Sequence, residues 1–212
     1  MTLGGLKATY TTGARRLASR SMAGLTQTGV TPNALTAAGV LLCALASVLV
    51  YFEYRNEIVF FWAGATVFVL GSILDILDGA LARAGGKTTP FGAFVDSTTD
   101  RISEAFMLGA IALVLTRDGS ELGVGLTVAA IAGSFLVSYA RARAEALGLR
   151  GDVGIGSRAE RVVVITAGLV LAPWGVLPWA IGVLAVTAWF TVLQRILHVR
   201  RQLRSAGDAS SP

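Results

Sequence analysis

Long apolar segments separated by short polar stretches form the dominant pattern of the chain. The apolar segments cover approximately residues 34–51, 60–83, 91–115, 122–146, 162–171 and 178–197. Most of them are long enough to cross the roughly 30 Å hydrocarbon core of a bilayer as helices. Because the connecting stretches are short, consecutive helices are expected to run antiparallel. The pattern therefore predicts an all-α integral membrane protein with six transmembrane helices.

The N-terminal residues 1–25 show a different, amphipathic pattern. One side of a helix would carry Leu3, Leu6, Tyr10, Ala14 and Leu17, and the other would carry Lys7, Arg15, Arg16 and Arg20. Such a segment is typical of a helix that lies in the membrane interface. Residues 26–204 then form the predicted six-helix membrane domain. The small and polar residues 205–212 are expected to form a disordered tail.

Basic residues are concentrated on one side of the predicted bundle. That side contains Lys7, Arg15, Arg16, Arg20, Arg83, Lys87, Arg141, Arg143, Arg150, Arg158, Arg161, Arg200, Arg201 and Arg204, whereas the opposite loops contain Arg55 and Arg117. Cytoplasmic loops are enriched in Lys and Arg, so both termini are expected in the cytoplasm. A hydrophobic content of 54% excludes an ordinary soluble domain. The net charge of +5 is explained by topology and phosphate contacts, and we expect no nucleic-acid binding.

Four aspartates interrupt the apolar pattern of the second and third predicted spans. Asp75 and Asp78 share one helix face, and Asp96 and Asp100 share a face of the next helix, because residues three or four apart are neighbours. An antiparallel helix pair would bring the four carboxylates together, and such a cluster needs a counter-ion in a low dielectric. Carboxylate oxygens without a neighbouring His or Cys favour Mg²⁺, Mn²⁺ or Ca²⁺. Mg²⁺ sites often leave coordination positions for phosphates, so phosphate chemistry is expected.

The aspartates belong to a longer motif with eight fixed positions, Asp75-x2-Asp78-Gly79-x2-Ala82-Arg83-x8-Gly92-x3-Asp96-x3-Asp100. This motif resembles the signature of the CDP-alcohol phosphotransferases at every fixed position. The resemblance implies an enzyme in which an alcohol hydroxyl attacks the β-phosphate of a CDP-linked lipid and CMP leaves. It also implies Mg²⁺ or Mn²⁺ as cofactor, membrane lipids as surroundings and a homodimer. The aspartates lie at the end of the bundle shared with the N-terminus, so the charge pattern predicts an active site at the cytoplasmic leaflet.

Several residue roles follow from the resemblance. Asp75, Asp78, Asp96 and Asp100 are implied as metal ligands, with Asp100 also as the general base. The implied CDP-lipid-binding residues are Thr31, Pro32, Asn33, Asp78, Gly79, Ala82, Arg83 and Gly92. For the small residues Gly79 and Ala82, close helix packing is an equal alternative. For the segment beginning at Thr31, a helix cap is a sufficient alternative.

The second half of the chain is similar to a narrower group within this family. The segment 138–154 and the sequence Arg158-Ala159-Glu160-Arg161 resemble the phosphatidylinositol-phosphate synthases of actinobacteria and their archaeal relatives. This resemblance implies that CDP-diacylglycerol, or CDP-archaeol, is joined to inositol 1-phosphate. It also implies that three basic residues bind the acceptor phosphate, namely Arg141, Arg158 and Arg195. Ala159 departs from the proline that is familiar at this position.

Two other functions are compatible with parts of the pattern. A phosphatidylglycerophosphate synthase would need a similar anion pocket for glycerol 3-phosphate. A divalent-cation transporter would also carry acids inside the membrane. Transporter sites are commonly built from two related halves, and the sequence shows no convincing internal repeat.

Overall fold

All the regular secondary structure in the described part of the chain is helical. The computed structural model describes residues 31–86, 88–155 and 157–210. These contain the helices α1 (Pro32–Tyr51), α2 (Glu57–Ala84), α3 (Pro90–Arg117), α4 (Glu121–Ala146), α5 (Arg158–Val170) and α6 (Leu177–Ser210), with short 3₁₀ turns at Glu53–Arg55 and Ala172–Trp174. The predicted all-α class is confirmed. The predicted amphipathic helix 1–25 lies outside the described residues.

Among the described residues, four helical segments are long and apolar enough to cross a membrane, namely Asn33–Tyr51, Glu57–Arg83, Glu121–Ala146 and Leu177–Ser205. The protein is therefore an integral membrane protein. The other two helices differ in composition or length: α3 has 28 residues but carries several charged ones in its first half, and α5 has 13 residues. The predicted number of six spans stays a prediction.

Polar residues directly before the helices determine where several of them begin. A side-chain oxygen at each of these positions accepts a hydrogen bond from a backbone N–H of the first turn, which otherwise has no partner in a helix. The capping residues are Thr31, Asn56, Thr89, Ser120 and Ser157. At the start of α5, the Glu160 carboxylate also accepts a hydrogen bond from the backbone N–H of Ser157, at 2.7 Å. This second bond completes a capping box.

Helices α1 and α2 pack backbone to backbone through two glycines. A Cβ atom on Gly71 would lie 2.9 Å from the carbonyl oxygen of Gly39, and a Cβ on Gly39 would lie 3.1 Å from the carbonyl oxygen of Gly71. The buried thiol of Cys43 fills the adjacent space, because the same Gly71 Cβ would lie 2.8 Å from its Sγ. Small residues allow this close approach in membranes, where van der Waals packing drives helix association.

An ion pair closes the end of the bundle where α1 and α3 terminate. Arg117, the last residue of α3, contacts the carboxylate of Glu53 and donates to the carbonyl oxygen of Tyr51 at 3.1 Å. Its guanidinium lies over the rings of Tyr51 and Tyr54, at 4.9 and 4.4 Å from the ring centroids. Burial raises the pKa of Glu53, and the hydrogen bond from Arg117 counteracts this effect. The contacts fix the turn after α1 against the end of α3.

The final helix differs from the sequence expectation at its C-terminal end. Helix α6 continues to Ser210 and so enters the segment 205–212, for which the sequence predicts a disordered tail. The segment extends an existing helix and so needs no new nucleation. Ala206 and Ala209 favour this continuation, whereas Gly207 and Asp208 do not.

Candidate active site

Three carboxylates converge where α2 ends and α3 begins. One oxygen from each of Asp75, Asp78 and Asp96 lies within 4.8 Å of the others. Asp75 and Asp78 are buried, with relative exposures of 5% and 3%. The positions result from the predicted antiparallel arrangement, because the last turns of α2 face the first turns of α3. The structure thus brings together three of the four aspartates that the sequence singles out.

The donor atoms of this acid cluster fit a divalent cation. Within the described part of the chain, Asp78 Oδ1 is buried without a hydrogen-bond partner. Its other carboxylate oxygen, Oδ2, accepts a hydrogen bond from the hydroxyl of Thr36 on α1. A buried carboxylate oxygen without a partner is costly, and hard oxygen ligands of this kind suit Mg²⁺ or Mn²⁺. The residues that would hold the ion are Asp75, Asp78 and Asp96.

The fourth aspartate contacts arginines instead. Asp100 lies one helical turn after Asp96, and its carboxylate accepts a hydrogen bond from Arg101 at 3.2 Å. The guanidinium of Arg158, from the first turn of α5, contacts both Asp75 and Asp100. The sequence implies only a phosphate-binding role for Arg158. In the structure this residue connects the acid cluster to the predicted general base.

A cavity of about 370 Å³ adjoins the acid cluster and includes two of its aspartates. Its lining residues are Thr31, Asn33, Thr36, Asp78, Gly79, Ala82, Arg83, Thr88, Thr89, Gly92, Ala93 and Asp96. All the residues that the resemblance implies for CDP-lipid binding are among them except Pro32, which opens α1 at this place. The volume lies in the range of small-molecule pockets.

The small residues of the motif keep this cavity open beside a positive charge. A Cβ atom on Gly79 would lie 3.3 Å from a terminal nitrogen of Arg83, and its three nearest neighbouring atoms would all belong to the Arg83 guanidinium. A side chain at this position would therefore extend into the cavity next to the guanidinium. Of the two alternatives for Gly79, the space for a ligand is the one that the geometry favours.

The three predicted acceptor arginines have different partners. Arg195 donates to the carbonyl oxygen of Val153 at 2.9 Å and also to that of Val137. The exposed Arg141 pairs with Glu145 at 2.8 Å. Arg158 contacts the two aspartates described above. The side chains come from α4, α5 and α6, and in the structure Arg195 holds the backbone of the connection between α4 and α5.

Some residues of the site lie outside the sequence prediction. The sequence motif does not include Thr36, which bonds to Asp78. Its position indicates a polar contact inside the bundle, because it is a threonine within an apolar span, one turn after the predicted cytidine contacts. Arg101 donates from its Nε to Ser138 Oγ at 2.7 Å and thereby joins α3 to α4. Its position directly after Asp100 in the sequence was the only indication available for it.

Comparison with protein families gives a match over most of the chain. The profile of the CDP-alcohol phosphatidyltransferases matches residues 29–199. An archaetidylinositol phosphate synthase of Pyrococcus horikoshii is 37% identical over 180 residues, which cover 84% of this chain and 88% of that protein. A phosphatidylinositol phosphate synthase of Mycolicibacterium smegmatis is 38% identical over 180 residues, or 81% of this chain and 78% of that protein.

Solved structures show the same similarity. The crystal structure of Mycobacterium tuberculosis phosphatidylinositol phosphate synthase with CDP-DAG bound superposes with a TM-score of 0.76 at 31% identity, covering 87% of this chain and 94% of that one. The same enzyme in complex with manganese and citrate gives a TM-score of 0.74 at 32% identity, covering 86% and 88% of the two chains.

If the acid cluster binds a divalent cation, removing the charge of one of its aspartates should weaken that binding. Asp78→Asn retains an acceptor for the Thr36 hydroxyl but removes a formal charge, so Mn²⁺ affinity should fall by at least about tenfold. The measurement is a Mn²⁺ titration of the purified protein, followed by electron paramagnetic resonance. Asp118→Asn, the same change at the exposed Asp118 at the far end of α3, is the control. Unchanged affinity in Asp78→Asn would contradict the assignment.

Proposed function

The chain belongs to the CDP-alcohol phosphatidyltransferase family, and we propose that it makes a phosphatidylinositol phosphate from CDP-diacylglycerol and inositol 1-phosphate, with release of CMP. The relatives named for this type of reaction are similar over more than four-fifths of the chain. The observation that carries the proposal is the cavity that shares Asp78 and Asp96 with the acid cluster. A nucleotide bound there has its pyrophosphate beside the cation-binding oxygens.

The donor half of the reaction uses α1, α2 and α3. When bound, the divalent cation neutralises pyrophosphate charge and polarises the phosphorus that is attacked. Arg83 lines the cavity with a positive charge for a phosphate oxygen. Thr31 and Asn33 offer hydrogen-bonding groups to the cytidine at the start of α1. Gly79 and Ala82 leave the helix surface accessible to the nucleotide.

Asp100 is the proposed general base. Its carboxylate takes the proton of the inositol hydroxyl while that oxygen bonds to the phosphorus carrying the diacylglycerol and the bond from this phosphorus to the CMP oxygen breaks. Asp100 lies one turn from Asp96 and is linked to Asp75 through Arg158. The base is thus adjacent to the place where the donor phosphate is held.

Arg141, Arg158 and Arg195 are the proposed acceptor-binding residues. Arg158 contacts the base directly, so an acceptor phosphate held by Arg158 keeps its hydroxyl groups near Asp100. Arg195 and Arg141 supply further positive charge from α6 and α4. Glycerol 3-phosphate carries the same phosphate group, and the names of the relatives favour the inositol compound. The transporter alternative has no support from the family match.

We further propose that α3 and α5 also cross the membrane, giving six spans in the domain 26–204 with both termini and the active site in the cytoplasm. Helix α3 is about 42 Å long at 1.5 Å per residue. The acids of its first half have partners inside the bundle, since Asp96 belongs to the acid cluster, Asp100 contacts Arg158 and Glu104 contacts Arg161. The family match over 29–199 supports the domain bounds. The amphipathic segment 1–25 and the homodimer stay predictions from the sequence.

Acceptor selectivity tests the proposed reaction. Purified protein with CDP-diacylglycerol and Mg²⁺ should release CMP when inositol 1-phosphate is added, and not with glycerol 3-phosphate, inositol or serine. The arginines favour an acceptor that carries a phosphate, and the relatives are named for an inositol phosphate lipid. Release with glycerol 3-phosphate in place of inositol 1-phosphate would contradict the acceptor assignment and leave the donor site intact.

Asp100→Asn should lower kcat by about a hundredfold to ten-thousandfold, because the amide cannot accept the hydroxyl proton. Binding of CDP-diacylglycerol, measured by isothermal titration, should change little. Asp152→Asn, which alters an exposed aspartate in the connection between α4 and α5, is the control. A near-normal rate in Asp100→Asn would remove Asp100 from the base role.

Cysteine labelling tests the topology. In a Cys43→Ala background, Asp118→Cys should react with a membrane-impermeant maleimide on intact cells, because the turn after α3 is proposed to be outside. Asp152→Cys should react only after permeabilisation. The opposite result, or equal labelling of both positions on intact cells, would contradict the six-span arrangement.

A further inference from the structure

A second buried ion pair lies beside the proposed base and has no role in the chemistry described so far. Arg161 on α5 donates from its Nε to Glu104 Oε1 on α3 at 2.8 Å. Both residues are buried, with relative exposures of 5% and 8%. Neither residue lines the nucleotide cavity or belongs to the acid cluster.

The position of this pair repeats that of the neighbouring contact at the site. Glu104 follows Asp100 by one turn on α3, and Arg161 follows Arg158 by one turn on α5, so each set shares a helix face. The contacts Arg158 to Asp100 and Arg161 to Glu104 therefore cross between the same two helices, one turn apart. Helix α5 packs directly on α2 and α6, and long charged side chains connect it to α3.

A buried ion pair is a poor source of stability but a strong constraint on geometry. Its desolvation cost is large, and apolar residues of similar volume often replace such pairs without loss of stability. The arginine fork fixes distance and orientation to a carboxylate more tightly than an apolar contact does. A rotation or shift of α5 against α3 would break the contact between Arg161 and Glu104 before it changed the apolar packing.

We propose that Glu104 and Arg161 form a positioning pair, which sets the register of α5 against α3 and so holds Arg158 beside Asp75 and Asp100 for the acceptor phosphate. This inference rests on the proposed function, since it assigns the pair to the acceptor half of that reaction. The capping box at Ser157 and Glu160 fixes the first turn of α5, so the placement of Arg161 is transmitted directly to Arg158.

The positioning role has a specific kinetic consequence. The acid cluster and the nucleotide cavity are built from α1, α2 and α3 together with the residues that connect α2 and α3. The link from α5 to the acid cluster that the structure shows is the contact of Arg158 with Asp75. Losing this positive charge from beside a carboxylate does not weaken its attraction for a cation, so a misplaced α5 should not weaken Mn²⁺ or CDP-diacylglycerol binding. It impairs the steps that depend on Arg158, namely acceptor binding and alignment of the acceptor hydroxyl with Asp100.

The test replaces the pair by apolar residues of similar size in the full-length protein. Glu104→Met combined with Arg161→Met should fold and bind Mn²⁺ and CDP-diacylglycerol as the unaltered protein does. Its kcat/KM for inositol 1-phosphate should fall by about a hundredfold, because a shift of Arg158 by about 1 Å would misalign the acceptor with Asp100 to that extent. Arg161→Lys, which keeps the charge, should retain more activity than Arg161→Met.

The matched control removes the ion pair at the opposite end of α3. Glu53→Met combined with Arg117→Met makes the same replacement far from the site and should leave the acceptor kinetics, Mn²⁺ binding and CDP-diacylglycerol binding unchanged. Unchanged acceptor kinetics in the Glu104 and Arg161 double variant would overturn the proposal. So would an equal loss of Mn²⁺ and CDP-diacylglycerol binding, because the pair would then support the whole bundle.

Single variants and a parallel assay of the unaltered protein distinguish failure of the positioning role from failure to fold and from failure of the proposed function. If the double variant does not fold, Arg161→Lys and Glu104→Gln supply the same comparison of donor binding with acceptor kinetics, and normal kinetics in both would overturn the proposal. The unaltered protein is assayed in parallel. Its failure to release CMP with any acceptor would contradict the proposed function, whereas normal turnover together with an unaffected double variant contradicts the positioning pair alone.

Discussion

Neutralising clustered carboxylates inside a membrane protein is the constraint on which the site depends. Asp75, Asp78 and Asp96 lie too close together to remain charged in a low dielectric without cations. One cation belongs to the protein itself, because Arg158 contacts Asp75 and Asp100. The other is the divalent ion that the unpartnered oxygen of Asp78 suits. The same charge balance therefore binds the metal and ties α5 to α2 and α3.

Polar contacts inside the bundle support this arrangement. The Thr36 hydroxyl bonds to Asp78 and joins α1 to the cluster, while Arg101 bonds to Ser138 and joins α3 to α4. Buried polar groups are costly unless they form hydrogen bonds, and a fully bonded network favours a single arrangement of the helices. The apolar packing between α1 and α2 brings the helices close, and these polar bonds determine which side chains meet.

The sequence was sufficient for the helices and for the residues with fixed spacing. Apolar segment length gave the helix positions, and the spacing of Asp75, Asp78 and Asp96 gave the cluster, because both depend on local periodicity. The bonds of Arg158 to two acids and of Arg195 to backbone carbonyls were not predictable in this way. They depend on how far each helix is rotated about its axis and on long side chains with several available partners. Neighbours in sequence do not fix either property.

The nucleotide cavity and the acid cluster are formed by the first three helices and the α2–α3 connection, whereas the arginines assigned to the acceptor come from the last three. In the proposed reaction, this separation divides the molecule into a part that activates the donor and a part that selects the acceptor, and the two meet at Arg158. Evolution can then vary the alcohol that is used by altering the second part while the chemistry that releases CMP stays the same. A single ancestral arrangement can in this way give rise to several different lipid headgroups.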